Sequence, residues 1–148
     1  MHLFKYKKRP YLIRLFRKGL VEFSEGTFAI KNIDIIVPVP LYSAKLKERS
    51  FNQSEVIAKI FSSHYRLRLE NALKKIKWTK PQNQLTKYER QKNIKNTFVV
   101  KDKKRICGKK VLLVDDIFTT GSTLNECAKM LLKAGAEIVY GFTLARGL

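Results

Sequence analysis

The segment from Val111 to Leu124 combines a short apolar run, two adjacent carboxylates and a loop of hydroxyl groups around one glycine. The loop, residues 119–123, offers small residues, backbone amides and hydroxyls, which suit an oxyanion such as a phosphate. Asp115 and Asp116 precede the loop and cannot hold a phosphate, but they can accept hydrogen bonds from neutral hydroxyls, as on a sugar ring. These residue types therefore predict a site for a phosphorylated sugar.

Such a site needs a strand and a helix to position it. The apolar run 111–114 predicts a strand buried on both faces, as in a parallel sheet. After the loop, apolar residues at helical spacing predict an amphipathic helix near 123–134. Thr123 and Glu126 have capping-box spacing, and Gly135 lies where a left-handed residue would end the helix. A phosphate in the loop would then face the positive end of a helix dipole.

Further elements complete an alternating pattern. Strands are predicted at 34–39 and 138–144, and a second helix near 54–64 begins with Asn52 and Glu55 at capping-box spacing. The alternation predicts βαβ units, and hence an α/β protein with a parallel sheet flanked by helices. Ligands of such sheets bind beyond the carboxyl ends of the strands, where the first strand and the acidic strand both end.

The composition indicates one globular domain with an unusual charge. Of 148 residues, 31 are Lys or Arg and 12 are Asp or Glu, which gives a formal net charge of +19. Residues 1–21 hold seven basic and no acidic side chains, and residues 87–110 hold ten against two. Each neutralised phosphate of a nucleic acid releases condensed counterions, so a phosphate polymer is the expected partner. We favour nucleic acid over a merely solvated lysine-rich surface.

The chain shows no targeting or metal-binding signature. Its apolar runs are too short for a membrane span, and its N-terminus does not resemble a signal peptide, so the default compartment is the cytoplasm. Cys107 and Cys127 are isolated and predict no disulfide, and Cys127 lies on the apolar helix face as a core thiol. There is no CxxC pair, so we expect no zinc in this chain.

Residues 77–97 are polar and basic without clear periodicity, and they predict a mobile basic loop. Trp78, the only tryptophan, lies among lysines and would either stack on an unpaired base or pack onto its own domain. No sequence-reading module is evident, so any DNA binding should tolerate many sequences. The candidate DNA-binding residues are Lys77, Trp78, Lys80, Arg90, Lys7, Lys8 and Arg9.

Three motifs resemble known proteins. Asp115 and Asp116 followed by TTGST after an apolar strand resemble the phosphoribosyl-pyrophosphate (PRPP) loop of type I phosphoribosyltransferases. Residues 37–53, VPVPLYSAKLKERSFNQ, are similar to the ComF family, the phosphoribosyltransferase-like proteins of bacterial competence. Residues 79–93, TKPQNQLTKYERQKN, and the terminal TLAR fit the same family. The resemblance implies a Rossmann-like type I phosphoribosyltransferase fold for this chain.

The resemblance also implies roles for individual residues. Asp115 and Asp116 would contact the ribose hydroxyls and favour the cationic transition state that develops as pyrophosphate leaves. Lys45 and Arg49, after Pro40, would face the pyrophosphate, or they are simply solvated cations. Mg²⁺ would come with PRPP, near the two aspartates, rather than in a protein cage. The 5′-phosphate would be held by Thr119, Thr120, Gly121, Ser122 and Thr123, and the leaving group would be covered by Lys80, Gln82 and Arg90.

Two positions depart from the family pattern. ComF proteins usually have a glycine where this chain has Ser50, so the segment is altered if that position requires a positive φ. In the family, a basic segment like residues 4–8 follows an N-terminal zinc finger, which this sequence lacks. We therefore expect residues 1–30 to be a basic segment, a possible remnant after a missing finger, and residues 31–148 to form the phosphoribosyltransferase-like domain.

Two classes of function fit these observations. The first is a competence protein that binds single-stranded DNA and PRPP in the cytoplasm during DNA uptake. A competence helicase or an inner-membrane DNA channel would be its partner, as the resemblance implies. The alternative is a small-molecule phosphoribosyltransferase of nucleotide metabolism, or a PRPP-binding domain without catalysis. The sequence leaves open whether catalysis occurs.

Overall fold

The computed structural model describes residues 19–22, 32–79 and 93–146. The strands are β1 (Ile35–Pro38), β2 (Arg68–Leu69), β3 (Leu73–Lys75), β4 (Phe98–Val100), β5 (Lys110–Phe118) and β6 (Ile138–Arg146). The helices are α1 (Ser43–Arg49), α2 (Gln53–Tyr65) and α3 (Ser122–Lys133), and a 3₁₀ turn covers Lys103–Arg105. Residues 19–22 are also helical.

Four strands form a parallel sheet in the order β2-β1-β5-β6, as predicted. Pro38 at the end of β1 pairs with Val114, so β5 continues beyond its neighbour and pairs only with β6 as far as Phe118. The predicted strand 111–114 is thus too short. Asp115 and Asp116 belong to β5, because β6 continues to provide backbone partners on one side.

Alternate side chains of β1 and β5 enter two hydrophobic cores, one on each face of the sheet. The core beside α3 includes Val37, Val111, Leu113, Phe98, Cys127 and Leu131. The core beside α2 includes Ile36, Leu112, Val114, Ile57, Phe61 and Phe142. Burial on both faces explains why these strands are continuous apolar runs rather than alternating patterns. The prediction that Cys127 is a buried, free thiol is confirmed.

An antiparallel pair of strands, the β3–β4 ribbon, packs over α3 and was not predicted. Its strands have three residues each, one with the sequence LKK and the other FVV, so neither is long enough to show a recognisable alternation. Part of the predicted loop 77–97 is therefore folded. Ile94 and Thr97 are buried, and the Thr97 hydroxyl donates to the Ile94 carbonyl at 2.8 Å. Residues 80–92 of that predicted loop lie outside the described residues.

Helix α2 begins where predicted, but not with a capping box. Asn52 is the N-cap, and its side chain accepts a hydrogen bond from the Ser54 amide at 3.1 Å. Glu55 instead forms an ion pair with Lys59 at 2.8 Å, one turn along the helix. An i, i+4 pair on the exposed face thus competes successfully for the carboxylate.

The capping box predicted for α3 is wrong. The N-cap is Gly121, with φ 73°, and α3 starts at Ser122. Glu126 is buried and accepts a hydrogen bond from the Asn96 amide at 2.8 Å, so its carboxylate joins α3 to the segment before β4. The end of the helix agrees with prediction, since Gly135 has φ 94°.

The N-terminal region is described only at residues 19–22. Leu20 and Val21 are buried in the core beside α2. Residues 1–18 and 23–31 lie outside the described residues, so the domain boundary at residue 31 stays a prediction. The described part of the chain contains no helix with the length and apolarity needed to cross a membrane.

Ser50 ends α1 in the left-handed conformation, with φ 65°, and its amide donates to the Leu46 carbonyl at 2.8 Å. The position therefore has the positive φ that glycine adopts without strain. We expect Ser50→Gly to raise the free energy of unfolding by about 0.5–1 kcal/mol, measured by urea denaturation. The matched change Glu48→Gly, inside α1, should lower it by about 1 kcal/mol. Equal losses for both variants would contradict the assigned conformation of Ser50.

Candidate functional site

The carboxyl edge of the sheet brings together the ends of β1 and β5 and the N-termini of α2 and α3. All four sheet strands are parallel, so these ends lie on one side of the molecule. α2 follows β1 through α1, and α3 follows β5 after a short loop. Both long helices therefore begin at this edge, where their dipoles are positive.

Asp115 is held in place by two hydrogen bonds to the same oxygen. Its Oδ1 accepts from the Ser54 hydroxyl at 2.9 Å and from the Asp116 amide at 2.9 Å. Ser54 is the second residue of α2 and was not predicted as a site residue. The available signal was its place just after a helix cap at the same sheet edge, which links the β1 segment to the acidic pair.

The side chain of Asn52 holds Ser54 in position beside Asp115 through two hydrogen bonds. Its side-chain amide donates to the Val39 carbonyl at 2.9 Å, while its oxygen accepts from the Ser54 amide. Asn52 and Ser54 are both buried. One side chain thus caps α2, ties it to the end of β1 and sets the position of the hydroxyl that contacts Asp115.

The carboxyl group of Asp115 has an unusual protonation equilibrium. Burial, and next the charge of Asp116, raise the pKa of Asp115 to about 7. The hydrogen bonds from the Asp116 amide and the Ser54 hydroxyl act in the opposite direction but do not cancel the burial effect. Near neutral pH, Asp115 is therefore present in both protonated and ionised forms.

This shift predicts a pH dependence of stability. The pKa of Asp115 is higher in the folded than in the unfolded chain, so its contribution to stability is present below about pH 4 and is lost as pH rises through about 7. We expect Asp115→Asn to raise the free energy of unfolding at pH 8 by on the order of 2 kcal/mol, since a charge in a partly buried position is removed. The gain should shrink toward pH 5. Urea denaturation at several pH values measures it, and a gain independent of pH would contradict the ionisation argument.

The loop predicted to hold a phosphate is a tight turn between β5 and α3. The Thr120 and Ser122 hydroxyls lie 2.7 Å apart, and the Ser122 amide contacts Thr120 Oγ1 at 3.4 Å. Gly121 has φ 73°, and a Cβ there would lie 2.9 Å from the Phe118 ring, so only glycine fits without strain. Thr119 and Thr123 are partly buried beside it.

The start of α3 suits an anion. The structure describes this helix in full. Its first turn contains no acidic residue, and its N-cap, Gly121, has no side chain that could accept a hydrogen bond from the first amides. A helix N-terminus with amide donors and a positive dipole attracts phosphate groups. The five loop residues predicted from sequence are therefore brought together beside a helix terminus of the right polarity.

Lys45 and Arg49 lie on α1, not on an irregular loop, and both are partly buried. A further cation, Lys75 on β3, was missed. Burial, and next the charge of Lys45, lower the pKa of Lys75 to about 8, while the charge of Asp115 raises it. The ammonium of Lys75 donates to the Thr79 hydroxyl at 2.7 Å. No sequence signal distinguished this lysine from the other lysines of residues 74–80.

The candidate DNA-binding residues are only partly described. Lys77 and Trp78 follow β3, and Trp78 is 56% exposed, so it does not pack into the core. Lys80, Arg90 and residues 7–9 lie outside the described residues, as does Gln82, which was predicted to cover the leaving group.

Within the described residues, no three His, Cys, Asp or Glu side chains are grouped as a metal site. The edge instead offers the two aspartates and the hydroxyls of the loop. Such hard oxygen donors fit a Mg²⁺ ion that takes most of its ligands from water and from phosphate oxygens. The residues present are therefore compatible with the predicted Mg²⁺ that accompanies PRPP.

The parallel sheet and the turn at its carboxyl edge define a type I phosphoribosyltransferase fold. The family model of the phosphoribosyl transferase domain matches residues 51–147. Among solved structures, the chain is similar to the Bacillus subtilis glutamine PRPP amidotransferase complexed with ADP and GMP, with a TM-score of 0.58 and 22% identity. That similarity covers 86% of this chain and 25% of that one.

Similar proteins of known name indicate the family within this fold class. The chain is 34% identical to Competence protein F of Haemophilus influenzae, over 97% of this chain and 65% of that protein. It is 30% identical to DNA utilization protein YhgH of Escherichia coli K12, over 100% of this chain and 66% of that protein. The chain therefore spans slightly less than two thirds of the length of these relatives. It belongs to the ComF family of proteins with a phosphoribosyltransferase fold.

Proposed function

We propose that this chain binds PRPP with Mg²⁺ at the carboxyl edge of its sheet, and that it binds single-stranded DNA during DNA uptake. The observation that carries the PRPP half is the juxtaposition of Asp115, oriented by Ser54 and the Asp116 amide, with the loop 119–123 at the start of α3. Acceptors for sugar hydroxyls and donors for a phosphate thus lie on consecutive residues.

The 5′-phosphate would occupy the turn before α3. There it would accept hydrogen bonds from backbone amides and from the hydroxyls of Thr120 and Ser122, which bond to each other in the structure. Replacing that mutual bond by two bonds to an anion is favourable, because hydrogen bonds to charged groups are stronger than those between neutral groups. Asp115 and Asp116 would accept from the ribose hydroxyls.

The pyrophosphate portion needs positive charge. Mg²⁺ would supply charge neutralisation on the phosphate oxygens when it is bound. Lys45 and Arg49 on α1 and Lys75 on β3 are the cations of the chain that we assign to this portion. The lowered pKa of Lys75 supports this role, because a nearby anion would restore its full positive charge.

The DNA half of the proposal is supported by the net charge of +19 and by the relatives. Their names, Competence protein F and DNA utilization protein, refer to DNA uptake or use by those proteins. We extend this role to the present chain, acting in the cytoplasm beside a helicase or a membrane DNA channel. A strongly basic protein without a sequence-reading module suits strands of any sequence.

Two measurements test the halves separately. Calorimetric titration with PRPP in the presence of Mg²⁺ should show binding, and ribose 5-phosphate should bind more weakly at the same site. Gel shifts with single-stranded DNA over a salt series should give a log K that falls linearly with log salt concentration. Absence of PRPP binding would refute the first half, and DNA binding independent of salt would refute the second.

The acidic pair also favours a second candidate, a small-molecule phosphoribosyltransferase. Carboxylates beside the ribose would stabilise the positive charge that develops as pyrophosphate leaves. Pyrophosphate release from PRPP, assayed with nucleobases or ammonia as acceptors, separates the candidates. Rapid turnover on one acceptor would favour the enzyme, whereas tight binding without turnover would favour a PRPP-responsive DNA-binding protein.

A further inference from the structure

The outer face of the β3–β4 ribbon exposes apolar side chains. Leu73 and Phe98 are buried on the inner face against α3, so the alternating residues point outward. Ile76 is 43% exposed and Val99 is 37% exposed. Trp78, two residues beyond Ile76, is 56% exposed. The ribbon and its extension thus hold three of the seven large hydrophobic side chains that are exposed in the described part of the chain.

Exposed lysines are the sequence neighbours of these apolar side chains. Lys74 lies opposite Val99 in the ribbon, and the other lysines are at the ends of the strands and in the adjoining 3₁₀ turn. Asp102 is the N-cap of this turn. It forms an ion pair with Arg105 at 3.3 Å and accepts a hydrogen bond from the Lys104 amide at 3.0 Å. Among the described residues, no ion pair involves the exposed lysines in or next to the ribbon in sequence, which are Lys74, Lys77, Lys101, Lys103 and Lys104.

The inner face of the ribbon packs on α3. Its inner residue Phe98 packs into the core with Cys127 and Leu131 of α3. Glu126 of the same helix accepts a hydrogen bond from the Asn96 amide, just before β4. A face backed by a helix and a core holds its side chains in place, so a ligand that binds there loses little free energy to ordering the protein.

We propose that the outer face of the β3–β4 ribbon binds single-stranded DNA, with a base stacked on Trp78 and lysines contacting the phosphates. The proposal rests on the DNA half of the proposed function and adds the surface that performs it. An exposed aromatic side chain can stack on the face of an unpaired base, whereas the base faces of a duplex are covered by their neighbours. The surrounding lysines complement the backbone charge, so the combination fits a single strand better than either a duplex or an acidic peptide.

Trp78 provides a direct readout, because it is the only tryptophan of the chain. Titration with oligothymidylate should quench its fluorescence as a base stacks on the indole. Trp78→Ala should lower the affinity at least about fivefold, since stacking of one base contributes about 1–3 kcal/mol. Leu132→Ala, at a side chain of α3 that is 50% exposed, is the matched control and should leave the affinity unchanged.

The lysines are tested by salt dependence. Lys74→Gln with Lys101→Gln should reduce the slope of log K against log salt concentration by about 1.4, because each lost phosphate contact on a single strand contributes about 0.7. Lys129→Gln with Lys133→Gln removes the same charge from the exposed side of α3 and should leave the slope nearly unchanged.

The outcomes separate this surface from the broader function. If the unaltered chain binds oligothymidylate but the ribbon variants behave like their controls, the surface is wrong and the proposed function stands. If the unaltered chain shows no binding at any salt concentration, the DNA half of the proposed function fails as well. Tighter binding to duplex DNA, or to RNA of the same sequence, would overturn the assignment to single-stranded DNA. PRPP titration is independent of all three outcomes.

Discussion

The double variant Asp115→Asn with Asp116→Asn is expected to bind PRPP with Mg²⁺ about 100-fold more weakly than the unaltered chain. Each carboxylate would accept a charge-assisted hydrogen bond from a ribose hydroxyl. Asparagine keeps the shape and one acceptor oxygen but loses about 1–1.5 kcal/mol per bond, or roughly tenfold in affinity. Calorimetric titration measures the loss at a fixed Mg²⁺ concentration.

The direction of the change in PRPP affinity shows whether the two carboxylates contact the sugar. Two negative charges beside a phosphorylated ligand also repel it, so removal of carboxylates that play no other part would increase the affinity. Asp102→Asn with Glu137→Gln changes the net charge equally at carboxylates that pair with Arg105 and Lys110. That control should bind PRPP almost normally. A rise in affinity for the Asp115 and Asp116 variant would refute their role as sugar ligands.

Asn52→Ala is expected to lower the free energy of unfolding by about 2–4 kcal/mol. Loss of a helix N-cap costs about 1 kcal/mol, and the Val39 carbonyl would lose its donor in a buried position at a further cost of about 1–3 kcal/mol. The Ser54 hydroxyl would also lose its fixed position beside Asp115, so PRPP binding should weaken as well. Urea denaturation measures the first effect and calorimetry measures the second.

Two variants separate the contributions of Asn52. Asn52→Ser keeps a capping oxygen but removes the amide donor to Val39, so it should recover about 1 kcal/mol relative to alanine. Asn125→Ala, at an exposed position of α3, should change the stability by no more than about 0.5 kcal/mol. If Asn52→Ala were as mild as Asn125→Ala, the hydrogen bonds of Asn52 would not organise the sheet edge.

Local sequence patterns were sufficient to predict the features that depend on a single strand, helix or loop. The apolar runs of β1 and β5 predicted buried parallel strands, because strands covered on both faces need no polar alternation. The spacing of apolar residues predicted α2 and α3, and Asn52 and Gly135 were identified at helix ends. The hydroxyl loop and acidic pair were recognisable because they are contiguous in the chain.

The β3–β4 ribbon shows the limit of such reasoning. Each of its strands has three residues, and their partners are separated by more than twenty positions. Its stability comes from packing on α3, which periodicity within a short segment does not reveal. The same applies to Glu126, whose spacing suggested a cap but whose carboxylate binds the Asn96 amide.

The sequence alone determined the family, the order of the long elements and the identity of the acidic pair and its hydroxyl loop, because each depends on neighbouring residues. Tertiary structure alone decided that Ser54 contacts Asp115, 61 positions away. It also decided that Lys75 lies within electrostatic reach of Asp115, that burial raises the pKa of Asp115, and that Trp78 is exposed beside the ribbon. Burial and long-range contacts depend on how the faces of separate elements pack, which no single segment encodes.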